Sequence, residues 1–568
     1  MNDKKTVAVA ALCAASCAFG AFERTVEATD GIGDVVALTN ALAELNALSK
    51  ASGGGDTLNA RIWLKPGLYD LKGVCMAANS HLRIEHARNF VFAGLGDGPE
   101  DTVLLGGGEA EGCRVISGSG GGNYWWNTYS NLTVTGGYVT SGSGGGIYSG
   151  SLATRYVRLI VSNNVTTATT RYSGGGGICG GVAEQCLFVD NRAGIAGGAF
   201  EPNSASKTPP GETEPSVRAY ATDCVFSNNQ VTATYSASYA GGAVTGGTYT
   251  RCKFYGNTSA SYGGAVGRSE VCPSAVLIDC ELVGNVAANG GGGAYNPVGV
   301  TNCTFVGNTL SNWGSGGAIY AGNGAVDVVG CVFTGGGAAR GCIGFNVNFT
   351  DCIMTNNAGT FALYNANLTR CYVAGNSASE GAAVVDFVET ANSRTNVNCV
   401  FVGNSQSNYG SLSSAKVIVN CAYLDNTYGN ANYSPLFSDA ALVYNSVFSG
   451  NRINNGTPCD IRTWSERYPT LVNCVFSTTD GDVDGVASYT DCRLVARERL
   501  RYTKRDAARP LMPSRRSPLY DGGYEADWLL ALVGDTDCYG RARRLFARLD
   551  IGPAECDEEP MGLAVIIR

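Results

Sequence analysis

The sequence predicts an all-β chain, a right-handed parallel β-helix solenoid with an N-terminal capping helix and an irregular C-terminal cap. Three observations predict it: a short segment starting at a cysteine that recurs along the chain, a paired-glycine motif that follows most copies, and a composition suited to many short strands. The 568 residues include 78 Gly, 28 Tyr and 22 Cys against 5 Met and 2 His, and only 15% are charged. A single hydrophobic core stops growing well below this size, whereas stacked repeats do not. Glycine at this density supplies the positive-φ positions that turns require. With 44% hydrophobic residues and a net charge of -8 the chain can bury a core, which excludes disorder. The acidic balance argues against nucleic acid as a partner.

The repeat is C-x-F-x-x-N. It reads Cys186-Leu-Phe-Val-Asp-Asn191, Cys224-Val-Phe-Ser-Asn-Asn229, Cys252-Lys-Phe-Tyr-Gly-Asn257, Cys280-Glu-Leu-Val-Gly-Asn285 and Cys303-Thr-Phe-Val-Gly-Asn308. Further copies start at Cys352, Cys371, Cys399 and Cys421, a variant at Ser446, and degenerate copies at Cys331, Cys474 and Cys492. The Cys and Phe positions alternate with outward ones at a strand's period of two, so that face is the buried one. A strand this short cannot bury a face alone, and each copy therefore stacks on its neighbours. The asparagines are expected to stack likewise, amide on amide. The glycine motif, as in Gly197-Gly-Ala-Phe200, Gly241-Gly-Ala-Val244 and Gly316-Gly-Ala-Ile319, is expected to form a sharp corner where coils approach closely.

The ends differ from the middle. Lys4 and Lys5, an apolar stretch from Thr6 to Cys17 and Ala18-Phe19-Gly20 read as an export signal over 1–20. Residues 21–123 read as the N-terminal cap and first coils, 124–495 as the repeats and 496–568 as the C-terminal cap. In the cap, Val35, Leu38, Leu42 and Leu45 have the spacing of one helical face. A polar insertion from Glu201 to Tyr220 carries Pro202, Pro209, Pro210 and Pro215 and is expected to project as a loop. No later segment is long and apolar enough to span a bilayer, so the exported chain is expected to be soluble or peripheral, and monomeric.

F-x-x-N alternating with G-G-A-[ILV] resembles the repeats of the chlamydial polymorphic outer membrane proteins; Phe305-Val-Gly-Asn308 followed by Gly316-Gly-Ala-Ile319 matches both halves. The resemblance covers roughly Tyr124 to Val495 and implies a surface-exposed β-helix acting in adhesion. Such proteins often carry a C-terminal membrane barrel, and the stretch after the last repeat is too short for one. The helix followed by Arg61-Ile-Trp-Leu-Lys-Pro-Gly-Leu-Tyr-Asp70 resembles the start of pectate-lyase-like β-helices. That likeness implies a polysaccharide lyase or glycoside hydrolase as the alternative function, since such enzymes place acidic residues on an outer face.

The residue before each cysteine is expected to face outward. Asp223, Asp279 and Asp351 fall in that column and are the catalytic candidates, although Arg251 lies between the first two and an alternating ladder neutralises itself. Tyr124, Trp125, Trp126 and Tyr129 form the densest aromatic cluster and are the candidates for stacking on sugar rings or covering a coil edge. The basic run Arg493, Arg497, Arg499, Arg501, Lys504, Arg505, Arg515 and Arg516 suits an anionic partner or a solvated face. The cysteines read as a ladder of buried free thiols. With no C-x-x-C pair, and His81 and His86 outside the repeats, neither metal nor cofactor is expected. The sequence therefore points to a secreted or cell-surface binding module directed at a glycan.

Overall fold

A computed structural model describes residues 22–51, 59–77, 79–85, 87, 89–118, 127–149, 154–170, 173–202, 219–233, 240–268, 275–338, 342–379, 394–407, 412–413, 415–429, 441–462, 469–477, 483–484, 488–502, 511–543, 545 and 547–557. The chain forms two compact units, Met1–Thr258 with Gly267–Pro273, and Ser259–Val266 with Ser274–Arg568. The expected signal segment lies outside the described residues, as do positions 203–218 of the proline-rich insertion.

In the first unit each coil visits three parallel sheets in a fixed order. The first sheet carries Thr128–Thr135 and Arg155–Ser162, followed by the paired strands Val182–Glu184 with Leu187–Val189, Ala219–Thr222 with Val225–Ser227 and Gly247–Thr250 with Lys253–Tyr255. Its register aligns Val134, Val161, Phe188, Phe226 and Phe254. The second sheet holds two-residue strands such as Arg192–Ala193, and the third holds Ile147–Tyr148, Ile178–Cys179 and Phe200–Glu201. This is a right-handed parallel β-helix.

Two corners recur because the backbone turns left-handed there. The residue before the cysteine, or before Leu132 and Leu159, which stand in its place in the earlier coils, has φ of 52, 52, 53, 54 and 51 at Asn131, Arg158, Gln185, Asp223 and Arg251. The residue before the ladder asparagine does the same at Asp190, Asn228 and Gly256. Asn, Asp and Gly tolerate this conformation, which is why they fill both columns; an arginine there costs about 1–2 kcal/mol. The paired glycines divide the remaining work. Gly197 has φ 51, while a Cβ on Gly198 would sit 2.0 Å from the Gly242 carbonyl oxygen of the next coil.

The interior is laddered. Phe188, Phe226 and Phe254 stack with centroids 4.8 and 5.0 Å apart. Asn164, Asn191, Asn229 and Asn257 are buried, each Nδ2 donating to the Oδ1 of the next at 3.1, 3.0 and 3.0 Å. Asn191, Asn229 and Asn257 also donate to carbonyls of the coil before, Val161, Phe188 and Phe226.

The helix α1, Val35–Ala51, follows the expected spacing and buries Leu38, Ala41, Leu42 and Leu45. Asp34 caps it, its Oδ1 accepting the Ala37 N–H at 2.8 Å. Asn46 ties it to the third sheet by donating to the Arg83 carbonyl and accepting the Glu85 N–H.

The second unit repeats the plan from Ala275–Ile278 with Glu281–Val283 to Ser488–Thr490 with Arg493–Leu494. Asn285 donates to Asn308, and a longer run links Asn357, Asn376, Asn404, Asn426 and Asn451. That run ends on buried Asp460, whose Oδ1 accepts from the Asn451 amide and backbone and whose Oδ2 accepts from Ser477.

The cysteines do more than fill space. No disulfide joins the cysteines among the described residues. In the first sheet a sulfur can accept the N–H of the preceding coil's cysteine: Cys303 accepts from Cys280 at 3.3 Å, Cys331 from Cys303 at 3.2 Å and Cys399 from Cys371 at 3.4 Å. Each thiol donates to the carbonyl two residues back, as Cys303 does to Thr301. The left-handed corner takes that N–H out of the sheet ladder, and sulfur supplies the acceptor. Ser446 does the same with Oγ, accepting from Cys421 N at 3.2 Å. Cys303→Ser should therefore lower stability by about 1 kcal/mol or less, and Cys303→Ala by about 1–3 kcal/mol, because alanine orphans the Cys280 N–H. Urea unfolding of the two variants checks this; equal losses would leave sulfur with a packing role alone.

Candidate binding surface

All three candidate carboxylates sit on the left-handed corner and face outward. Asp223, in the first unit, is gripped bidentately by Arg251 at 2.8 and 2.9 Å. That hydrogen-bonded guanidinium holds its carboxyl below the usual carboxylate range. Asp351, in the second unit, is gripped by Arg370 at 2.6 and 2.8 Å. The alternating acid and arginine residues thus pair with each other; at this exposure each pair is worth well under about 1 kcal/mol. Asp279 occupies the same corner with φ 54, and Asn302 and Gly330 separate it from Asp351. Three coil spacings make roughly 14 Å, beyond the about 6.5–9.5 Å of an inverting carboxylate pair. Within the second unit, Asp279 and Asp351 are thus not brought together.

Of the aromatic candidates, Tyr124, Trp125 and Trp126 lie outside the described residues. Tyr129 is buried at 1% exposure, stacked on Tyr156 at 5.7 Å with Phe90 edge-on at 5.5 Å. Both sides of its ring are occupied by the core, so it has no face to offer a sugar.

An open aromatic cluster lies in the second unit, where the C-terminal segment folds back on the first sheet. The corner asparagines become its anchors. Asn398 Nδ2 donates to the Val533 and Thr536 carbonyls, Asn445 exchanges hydrogen bonds with the Tyr524 backbone, and Asn473 donates to the Gly522 carbonyl. The short helix α2, Asp527–Val533, turns Leu529 and Val533 onto Val397 and Val419. Nearby, Leu500, Leu519 and Ile551 cover Val447 and Val475.

Burying Leu529 and Val533 rotates Trp528 to the other side of α2, where it is 47% exposed. It packs edge-to-face on Tyr444, centroids 5.0 Å apart at 76°, and Tyr444 in turn meets Tyr524 at 5.9 Å. Tyr524 is 40% exposed and Leu442, on the strand carrying Tyr444, 41%. Three rings are thus held by the core below them, with Trp528 and Tyr524 exposed and Tyr444 half-buried. A second aromatic run, Tyr295, Tyr320, Phe345 and Tyr364 on the third sheet, is different. Its rings stack at 5.4, 4.7 and 4.7 Å and use their faces on one another.

No protein-family model matches the chain, and no curated protein matches it. Among solved structures it is similar to the A-module of the Azotobacter vinelandii mannuronan C-5 epimerase AlgE6, at 14% identity over 84% of this chain and 95% of that one, with a TM-score of 0.26. A GH87 alpha-1,3-glucanase from Streptomyces thermodiastaticus is similar at 12% identity over 84% and 71%, TM-score 0.29. The Streptococcus pneumoniae surface adhesin PfbA is similar at 12% over 71% and 91%, TM-score 0.25. At these scores the likeness carries no functional weight, and the β-helix rests on the strand pairing itself.

The remaining motifs are absorbed structurally. Arg497 pairs bidentately with Asp425, Arg493 donates to the Pro518 carbonyl and Arg515 lies over the Tyr520 ring, while Arg499, Arg501 and Arg516 are exposed. Lys504, Arg505 and His86 lie outside the described residues. His81 is buried, one ring nitrogen against the Val74 carbonyl and the other accepting the Gly107 N–H. Among the described residues no cluster of His, Cys, Asp or Glu has the makings of a metal site, and no helix is long and apolar enough to cross a membrane.

Proposed function

We propose that the chain is an exported β-helix that acts as a binding module, holding a glycan or another surface polymer against Tyr444, Tyr524 and Trp528. The observation that carries this reading is the open aromatic cluster, whose rings are pinned by Asn445 and by the buried side of α2. Pre-ordered aromatic groups bind with little loss of conformational freedom, and their apolar surface stacks on the C–H faces of sugar rings. Arg251 holds the Asp223 carboxyl below the usual range, which makes it a poor general acid, and the Asp351 carboxylate is occupied by Arg370; both favour binding over the lyase or hydrolase alternative. The export signal over 1–20 and the repeats resembling polymorphic outer membrane proteins support a place at the cell surface.

Affinity electrophoresis through gels containing pectin, alginate or host-type glycans tests the reading. Retardation is expected in at least one, with Trp528→Ala weakening binding ~10-fold, the scale of a central aromatic anchor. Release of oligosaccharide products that is lost on Asp279→Asn would replace the binding reading with the enzymatic one. Neither retardation nor products would reduce the chain to a scaffold.

A further inference from the structure

The thiol column of the second unit ends in a pair unlike the rest. Its order in the final coils is Cys421, Ser446, Cys474 and Cys492, set by the register of Ala422, Val447, Val475 and Arg493. Ser446 interrupts the sulfur column, so Cys474 has a hydroxyl on one side and a single sulfur neighbour, Cys492, on the other. The Cys474 N–H donates to the Cys492 sulfur at 3.4 Å, and the two thiols are in hydrogen-bonding contact. Adjacent parallel strands in register place Cα atoms ~4.8 Å apart, inside the about 4.4–6.8 Å that a disulfide spans. The cysteines from Cys280 to Cys421 in this column are sealed in the core, whereas Cys492 is half-buried in the last coil of the sheet.

We propose that Cys474 and Cys492 form a redox pair that closes to a disulfide between the last two coils, with Cys492 as the attacking thiol and Cys474 as the resolving one. The roles follow from the surroundings. The hydrogen bond from Cys474 brings the Cys492 thiol down to about 7, while burial raises that of Cys474 well above its ordinary value. Cys492 is thus the thiolate that meets an oxidant in solution. With a low-molecular-weight disulfide as that oxidant, the Cys492 sulfur attacks one sulfur and expels the other as a thiolate, which takes up the Cys492 proton. Cys474 then attacks the Cys492 sulfur of the mixed disulfide, expels the second small thiolate and gives it its proton. The cysteine pair loses two electrons and two protons, and the small disulfide becomes two thiols. The product staples the final coil to the one before it, at the end of the sheet where a coil has a neighbour on one side only.

The test is disulfide mapping of the full-length protein after native incubation with oxidised glutathione, followed by denaturation, blocking of free thiols and peptide mass analysis. The expected result is one peptide pair joined through Cys474 and Cys492, lighter by two hydrogens and restored by reductant, with Cys280 to Cys421 recovered as blocked free thiols. Cys474→Ser should trap a glutathione adduct on Cys492, and continued protection of the buried ladder in the native variant reports that it is folded. Recovery of Cys474 and Cys492 as free thiols after oxidation, or a folded Cys474→Ser protein with no adduct, would overturn the proposal.

Discussion

Asn229→Ala is expected to lower stability by about 3–5 kcal/mol, among the largest effects of any single substitution in the repeats. The side chain is buried and joins three coils. Its Oδ1 accepts both the backbone N–H and the side-chain amide of Asn191, and its Nδ2 donates to the Phe188 carbonyl and to Asn257. Alanine removes one amide but orphans groups on both sides, and each buried donor or acceptor without a partner costs about 1–3 kcal/mol. Asn229→Asp is expected to be no milder at neutral pH. A carboxylate can replace the acceptor, but it points lone pairs at the Phe188 carbonyl where the amide donated. The comparable run in the second unit makes the same point: the carboxylate of Asp460 stands at its end, where Asn451 and Ser477 donate to it. Urea denaturation of both variants beside the parent chain checks the pair; a milder Asp variant would mean that Oδ1 alone carries the ladder.

Much of this architecture was legible because the repeat writes each contact many times. The alternation of Cys and Phe gave the buried face, the periodic asparagine gave the ladder, and Leu38, Leu42 and Leu45 gave the helical cap. Single-copy features were harder to see. The column before the cysteine reads as a surface column by periodicity, yet Asp223, Asp279 and Asp351 stand there first because the backbone needs a left-handed residue. That local demand imitates a row of catalytic acids. The docking of the C-terminal segment joins Asn398 to Val533 and Asn445 to Tyr524 across more than a hundred and about eighty positions respectively, with no repeat to announce it.

One signal did exist. In two early coils the residues flanking Phe in the first sheet include a polar one, as in Val225-Phe-Ser227 and Lys253-Phe-Tyr255, whereas Val417-Ile-Val419 and Ala422-Tyr-Leu424 are apolar on both faces. A strand apolar on both faces is covered on both. The candidate surface was missed for a related reason. Trp528 is one aromatic residue in a seven-residue helix, and its exposure follows only from Leu529 and Val533 being claimed by the sheet.

The same docked segment predicts the second large effect. Arg543→Met is expected to destabilise the C-terminal segment by about 3–5 kcal/mol, because it strands carboxylates in the interior. Arg543 donates to Glu555 at 2.6 Å, to Asn398 Oδ1 at 2.6 Å and to the Gly552 carbonyl at 3.1 Å. Around it, Asp537 accepts the Tyr539, Arg541 and Glu555 N–H groups, and Asp550 accepts those of Asp521 and Cys556. All three carboxylate residues and the arginine are buried. Burial first, and then repulsion from Glu555, raises the Asp550 carboxyl to about 7, and burial raises that of Glu555 as well.

The sign of the pH dependence follows. An unfolded aspartate titrates near about 3.9, so between there and pH 7 the folded chain holds a proton that the unfolded chain has lost. The contribution of Asp550 is complete below that range, declines as pH rises through it and is gone above about 7. Without the guanidinium, Asp550 and Glu555 depend on protons for neutrality, and the penalty of Arg543→Met should be smallest near pH 5 and largest above pH 7. Proteolytic cleavage rates within 511–557, measured for both chains from pH 5 to 8, report this directly. A penalty that stays flat across that interval would show that Arg543 holds the segment through Asn398 and Gly552 rather than through its charge.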